Sequence, residues 1–242
     1  MEIKNSKLLQ RQSLRKIAIF TGSAYLVMFV VGILTALFVP QNFIVPGDAA
    51  KTAYNIINNE ILFRLDIFKY LVFFICDLLL AWGFYIFLCR INKRLSLLAA
   101  WFKLGWTAIS GTALFNRIAV LYLLSDHQYL SVFDKDQLYA MALLSLDTFS
   151  YKWYIGYIFF SIHILILGYL FLKLDYAPKI LGILLLIVSF AYLLYSFASL
   201  LIPDMQDFEI IRRFVFLPGF ITEMWLALWL LLKGGKNDIN HI

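Results

Sequence analysis

Residues 111–124 read GTALFNRIAVLYLL. The stretch has the apolar content of a membrane span, yet it carries Asn116 and Arg117. An ionised side chain at the centre of a spanning helix costs about 2.5–3.5 kcal/mol on insertion scales. If this is a span, something near Arg117 has to compensate. The residues upstream indicate where to look. Lys103, Thr107, Ser110, Leu114, Arg117 and Leu121 follow steps of 4, 3, 4, 3 and 4, which places them on one helical face. The remaining positions are Leu, Phe, Ile, Ala and Val. A polar stripe on a membrane helix faces the bundle interior, so the pattern predicts an amphipathic span with its polar side turned inward.

The rest of the chain fits that reading. Of 242 residues, 62% are hydrophobic and 15% charged, and the mean hydropathy is +0.82. A soluble domain of this length needs a more polar surface. Several apolar runs reach the roughly 20 residues that a spanning helix requires, and the alternating segments of a β-barrel are missing. We read one all-α transmembrane domain over 1–242 with six spans, at about 17–39, 66–89, 97–124, 151–173, 178–202 and 212–232. The third is the longest, so it is tilted or emerges above the membrane. The first apolar run is too long for a signal-peptide core and ends without a small-residue cleavage site, so it is expected to remain as the first span.

Charge sets the expected orientation. Lys4, Lys7, Arg11, Arg15 and Lys16 precede span one, and Arg90, Lys93 and Arg94 lie between spans two and three. Lys173 and Lys179 lie between four and five, and Lys233 and Lys236 follow six. With six alternating spans all of these share one side. The other side holds Asp48, Glu60, Asp126, Asp134, Asp136, Asp204, Asp207 and Glu209. The positive-inside rule then places both termini in the cytoplasm. Cations beside spans also account for the net charge of +6 through lipid head groups rather than nucleic acid, for which no binding is expected. Two outer connections look helical. PGDAAKTAYNIINNE (46–60) offers Asp48 as an N-cap, and DKDQLYAMALLSL (134–146) opens on a capping-box variant, Asp134 with Gln137.

Four spans bring ionisable groups toward mid-depth: Asp77, Arg117, His163 and Glu223. Unpaired, three charges would cost roughly 8–10 kcal/mol on the same insertion scale. We therefore expect Arg117 to meet Asp77, Glu223 or both, with His163 close by. Lys103, Thr107, Ser110, Asn116, Ser189, Tyr192 and Ser196 are expected to line the same interior, while Arg64 and Asp66 are expected at the outer interface. Such a centre either fixes helix register or forms a ligand site. Cys76 and Cys89, about 20 Å apart on a helix, cannot bridge. Of the three histidines, His127 and His241 fall outside the spans, too few ligands for a zinc site or a six-coordinate haem. No metal or cofactor is expected, and no nucleophile–base motif, P-loop or dinucleotide fingerprint is present.

NIINNEILFRLDIFKYLVFFICDLLLAWGFYIFL, LSLLAAWFKLGWTAISG and SYKWYIGYIFFSIHILILGYLFLKLDYAPKILGILLLIVSFAYLL carry a resemblance to the bacterial domain-of-unknown-function 4386 family (DUF4386). The likeness runs from about Tyr25 to Lys233. It is most specific at the Asn55–Ile56 and Phe63–Arg64 pairs, around His163, and in APKILG at 177–182. Lys103 stands where the family pattern leads us to expect arginine. The resemblance implies a multi-pass protein of the bacterial cytoplasmic membrane and no particular activity. Seven-span zinc hydrolases of the alkaline ceramidase and adiponectin-receptor type have several intramembrane histidines, whereas this chain has one. Three functions follow as expectations: binding of a lipid or small amphiphile, transport of a small solute or one coupled to protons, and lipid modification by an enzyme. The sequence does not choose an enzyme over the others, and beyond membrane lipids it points to no partner.

Overall fold

A computed structural model describes residues 2–39, 43–202 and 209–236, with side chains from Leu14 onward and, in the last segment, from Ile210 onward. Among the described residues there are seven α-helices and no strand: α1 (Glu2–Phe38), α2 (Ala49–Asn58), α3 (Glu60–Leu88), α4 (Lys93–Leu123), α5 (Lys135–Lys173), α6 (Lys179–Leu201) and α7 (Glu209–Leu232). A 3-10 turn at Gln128–Leu130 lies between α4 and α5. The side chains of Lys4, Lys7, Arg11 and Glu209, and all of Asp204, Asp207 and His241, lie outside the described residues.

The six long helices pack in chain order as a closed ring, α1–α3–α4–α5–α6–α7 and back to α1, with α2 against α5 and α3 at one end. Successive long helices run antiparallel. The α2 end therefore carries Asp48, Glu60, Asp126, Asp134 and Asp136, and the opposite end carries Arg90, Lys93, Arg94, Lys173, Lys179 and Lys233. At that opposite end Arg15 of α1 reaches the last turn of α7. Its guanidinium donates to the carbonyls of Leu230 (3.0 Å), Gly234 (2.9 Å) and Leu231. These are the carbonyls a helix C-terminus leaves without partners. One basic residue thus closes the ring and brings the start of α1 beside the end of α7.

Five helices, α1, α3, α5, α6 and α7, are long and apolar enough to cross a membrane. The 31-residue α4 is not among them, and its polar stripe explains why. Lys103, Thr107, Ser110 and Arg117 are all buried, while Leu97, Trp101, Leu104, Phe115 and Tyr122 stand exposed. That is the pattern of a span in a bundle that faces lipid outward and keeps its charges inside.

Close approach between helices comes from small residues. A Cβ on Gly168 of α5 would lie 3.0 Å from the Gly182 carbonyl oxygen and 3.0 Å from the Leu186 nitrogen of α6, so these two backbones touch. Gly83 of α3 leaves room for the Thr21 side chain of α1 in the same way.

Asp48 caps α2 as expected, accepting from the Lys51 N–H at 2.9 Å. The capping box at Asp134 and Gln137 is also present. The segment it opens is not a separate outer helix, however. Residues 134–146 and the fourth span form the single 39-residue helix α5, about 58 Å long. The physical reason is plain in the sequence. No Gly or Pro interrupts 135–155, and Ala142, Leu146 and Phe149 are buried along its inner side.

Candidate functional site

Two charged layers cross the bundle, one nearer the α2 end and one central. In the first, Arg117 of α4 is ion-paired with Asp66 of α3. Asp66 also accepts from Lys69 at 2.5 Å. The Arg117 guanidinium carbon lies 4.7 Å from the Phe149 ring centre and 5.3 Å from those of Phe63 and Tyr70. A carboxylate and three ring faces therefore make the arginine tolerable.

This corrects the expected pairing, since Arg117 meets neither Asp77 nor Glu223. The two pairs Asp66–Arg117 and Asp77–Lys103 fit one antiparallel register of α3 against α4. Joining Asp77 to Arg117 would need a slip of about 12 residues, about 18 Å of helix. Asp66, expected at the interface, is buried in this layer, while Arg64 stays exposed in a pair with Glu60 at 2.7 Å.

In the central layer Asp77 is held from two sides. Lys103 is ion-paired with it, and the Trp106 indole N–H donates to its Oδ2 at 2.8 Å. Asp77 is 2% exposed and Lys103 1%. The Lys103 ammonium also sits 4.5 Å from the Phe160 ring centre. Glu223 of α7 comes in from across the ring and accepts from the Tyr192 hydroxyl of α6 at 3.3 Å. Gly219 makes that bond possible, because a Cβ there would collide with the Tyr192 hydroxyl.

His163 is near this layer but separated from the hollow described next. It is fully buried, its Nδ1 lies 2.8 Å from the Ala99 carbonyl oxygen, and Phe84 and Phe160 flank it. A carbonyl only accepts, so Nδ1 carries the proton and the bond ties α5 to α4. Asn116 likewise joins α4 to α5, donating to the Ser145 carbonyl at 3.1 Å and accepting from Lys152 at 2.8 Å. Thr107, Ser189 and Ser196 donate to carbonyls of their own helices. Ser110 packs where α4 meets Gly156 of α5. Of the expected lining residues, only Lys103 and Tyr192 reach the hollow.

That hollow is a cavity of about 430 Å³ to which all six long helices contribute. Asp77, Lys103, Phe160 and Glu223 form its floor, farthest from the α2 end. The walls are aromatic, with Trp106, Trp153, Tyr157, Phe216 and Phe220. Asp77 and Lys103 are buried, whereas Glu223 retains partial exposure. Its lining residues Ile33 of α1 and Phe220 of α7 are 47% and 42% exposed, and Phe220 packs edge to face on Phe29 of α1. A second hollow of about 560 Å³ between α5, α6 and α7, also lined by Tyr70 of α3, shares Trp153, Tyr157 and Phe216 with it. Among the described residues no three His, Cys, Asp or Glu side chains come together as metal ligands.

Apart from Tyr192, none of the aromatic residues that wall the cavity is among the lining residues expected from sequence. Their signal was spacing, since Trp153, Tyr157 and Phe160 fall on one face of α5.

Comparison with known proteins gives a family rather than a chemistry. A family model described as a domain of unknown function (DUF4386) matches residues 20–234. The chain is 30% identical over 162 residues to an uncharacterised protein of Archaeoglobus fulgidus, covering 67% of this chain and 79% of that one. No solved structure matches.

Proposed function

We propose that this chain, which belongs to the DUF4386 family and is a multi-pass membrane protein, binds a lipid or small amphiphile in its central cavity. One observation carries the reading: a hollow of about 430 Å³ with a charged floor, aromatic walls and exposed lining residues on α1 and α7. Its volume falls within the roughly 300–1,000 Å³ of small-molecule sites, which pair mostly apolar walls with a few placed polar groups. An amphiphile matches both parts. The position of those exposed residues also favours this ligand class over a water-borne solute. Ile33 and Phe220 lie on helix faces that continue into the exposed apolar belt, so the route in is from the lipid phase. The charge asymmetry of the two ends supports an orientation with α2 away from the cytoplasm.

The experiment is a thermal-shift screen of lipids and single-chain amphiphiles against the purified protein in detergent, repeated with Gly32→Phe. Gly32 lines the cavity, and the nearest neighbour of a Cβ there is the far edge of the Phe73 ring at 3.3 Å. A side chain there needs the Phe73 ring edge to give by a few tenths of an ångström, and a phenyl group at this position is meant to occupy the hollow. A ligand of the cavity raises the melting temperature of the wild type and leaves Gly32→Phe unmoved. Amphiphiles that shift both proteins equally act on the outer belt and would remove the cavity from the account.

A further inference from the structure

The charge balance of the cavity floor carries a more specific statement about its ligand. Three charged side chains line the hollow: Asp77, Lys103 and Glu223. The one cation is already committed. Lys103 is ion-paired with Asp77, lies over the Phe160 ring and is only 1% exposed. Asp77 is satisfied by Lys103 and by the Trp106 indole. Glu223 has no such partner. Its contact from Tyr192 is long at 3.3 Å, and the residue is half-buried and lines the hollow. The floor therefore presents an acceptor with no cation in direct contact, Lys103 acting on it only from a distance. Around it stand the rings of Trp106, Trp153, Tyr157, Phe216 and Phe220, whose faces attract positive charge.

We infer that the cavity selects amphiphiles with a protonated amino head, seating the ammonium against Glu223 among these rings with the apolar body toward the exposed lining residues of α1 and α7. This rests on the reading that the cavity binds an amphiphile at all. Length agrees with it. From Phe216 to Glu223 the wall rises about 10 Å, the reach of a short alkyl or aryl chain behind its head group. The floor also selects against other heads. A carboxylate placed there meets the Glu223 carboxylate at close range, and a hydroxyl forms a hydrogen bond without neutralising the charge.

The test uses three ligands of one length, hexylammonium, hexanol and hexanoate, on the wild type and on Glu223→Gln. A change in the intensity or emission maximum of tryptophan fluorescence reports binding, since Trp106 and Trp153 line the cavity. The wild type is expected to bind hexylammonium at least tenfold more tightly than hexanol, with hexanoate weakest. In Glu223→Gln that preference should vanish, with hexylammonium falling to the level of hexanol while hexanol itself is unchanged. Equal binding of hexylammonium and hexanol by the wild type overturns the inference and leaves the cavity reading standing, as does a preference that survives in Glu223→Gln. Failure of all three ligands and of their octyl homologues overturns both. If Glu223→Gln does not fold, the wild-type series still decides, together with Tyr192→Phe. That variant removes the competing donor and must keep the preference for the amine.

Discussion

The pairing of Arg117 with Asp66 can be measured, together with the helix register that creates it. Asp66→Asn removes the carboxylate and leaves the guanidinium facing Phe63, Tyr70 and Phe149. The two side chains are 10% and 11% exposed, so solvent screens the lost attraction little. Stranding one partner of a buried pair costs about 3–5 kcal/mol, and the ring faces return about 2 kcal/mol at most. The expected loss is thus nearer 3 than 5. Arg117→Gln should cost less, about 1.5–3 kcal/mol, because Lys69 still holds Asp66 at 2.5 Å. The double variant should then show a coupling within the roughly 0.5–3 kcal/mol range of contacting residues.

The control is the pairing expected from sequence. Asp77→Asn with Arg117→Gln joins residues about 18 Å apart along the bundle, and such changes add to within about 0.5 kcal/mol. Both cycles can be read by reversible unfolding in mixed micelles, followed by helicity. A coupling above about 1 kcal/mol between Asp77 and Arg117, with additivity between Asp66 and Arg117, would refute the register.

Three further outcomes are expected. Arg15→Ala should destabilise by about 1.5–3 kcal/mol, with faster hydrogen exchange at the end of α7, because three carbonyls lose their donor. An unchanged unfolding midpoint would show the cap to be idle. His163→Leu should cost under about 1.5 kcal/mol and leave ligand affinity intact, since Phe160 stands between the imidazole and the cavity. Loss of binding would place His163 in the site. In a background of Cys76→Ala and Cys89→Ser, an impermeant maleimide should reach Lys51→Cys and Lys135→Cys from one face of the membrane and Arg90→Cys only from the other. Labelling of positions 90 and 135 from the same face would contradict the crossing by α4.

The sequence shows the helices and their caps because these depend on local signals. Asp48, the Asp134–Gln137 box and the stripe on α4 each stand within a turn or two of the feature they mark. The ion pairs depend on relative depth, and depth was taken from span boundaries that move by several residues at about 1.5 Å each. In antiparallel neighbours such errors add, and Arg117 was matched to Asp77 when its own level held Asp66. The capping box led to the opposite error at α5. The box marks the helix start, but no breaking residue near 146 ends the helix there. The cavity was out of reach for a different reason. Aromatic residues fill space in most bundles, and only coordinates show where they fail to.

The two charged layers also explain why the amino-head inference attaches to the central one. Taken together, Asp66, Asp77 and Glu223 balance Lys69, Lys103 and Arg117. Taken singly, neither layer balances. Around Asp66 two cations meet one carboxylate, and at the cavity floor two carboxylates meet one cation. At about 16 Å along α3 from Asp66 to Asp77, the surplus of one does little for the other. The outer surplus has an outlet, since Lys69 is still 17% exposed and partly screened. The central surplus lies under aromatic rings, and the cavity is the space from which a counter-charge can arrive. A positively charged head seated against Glu223 would neutralise that layer without altering any contact already made around Asp77.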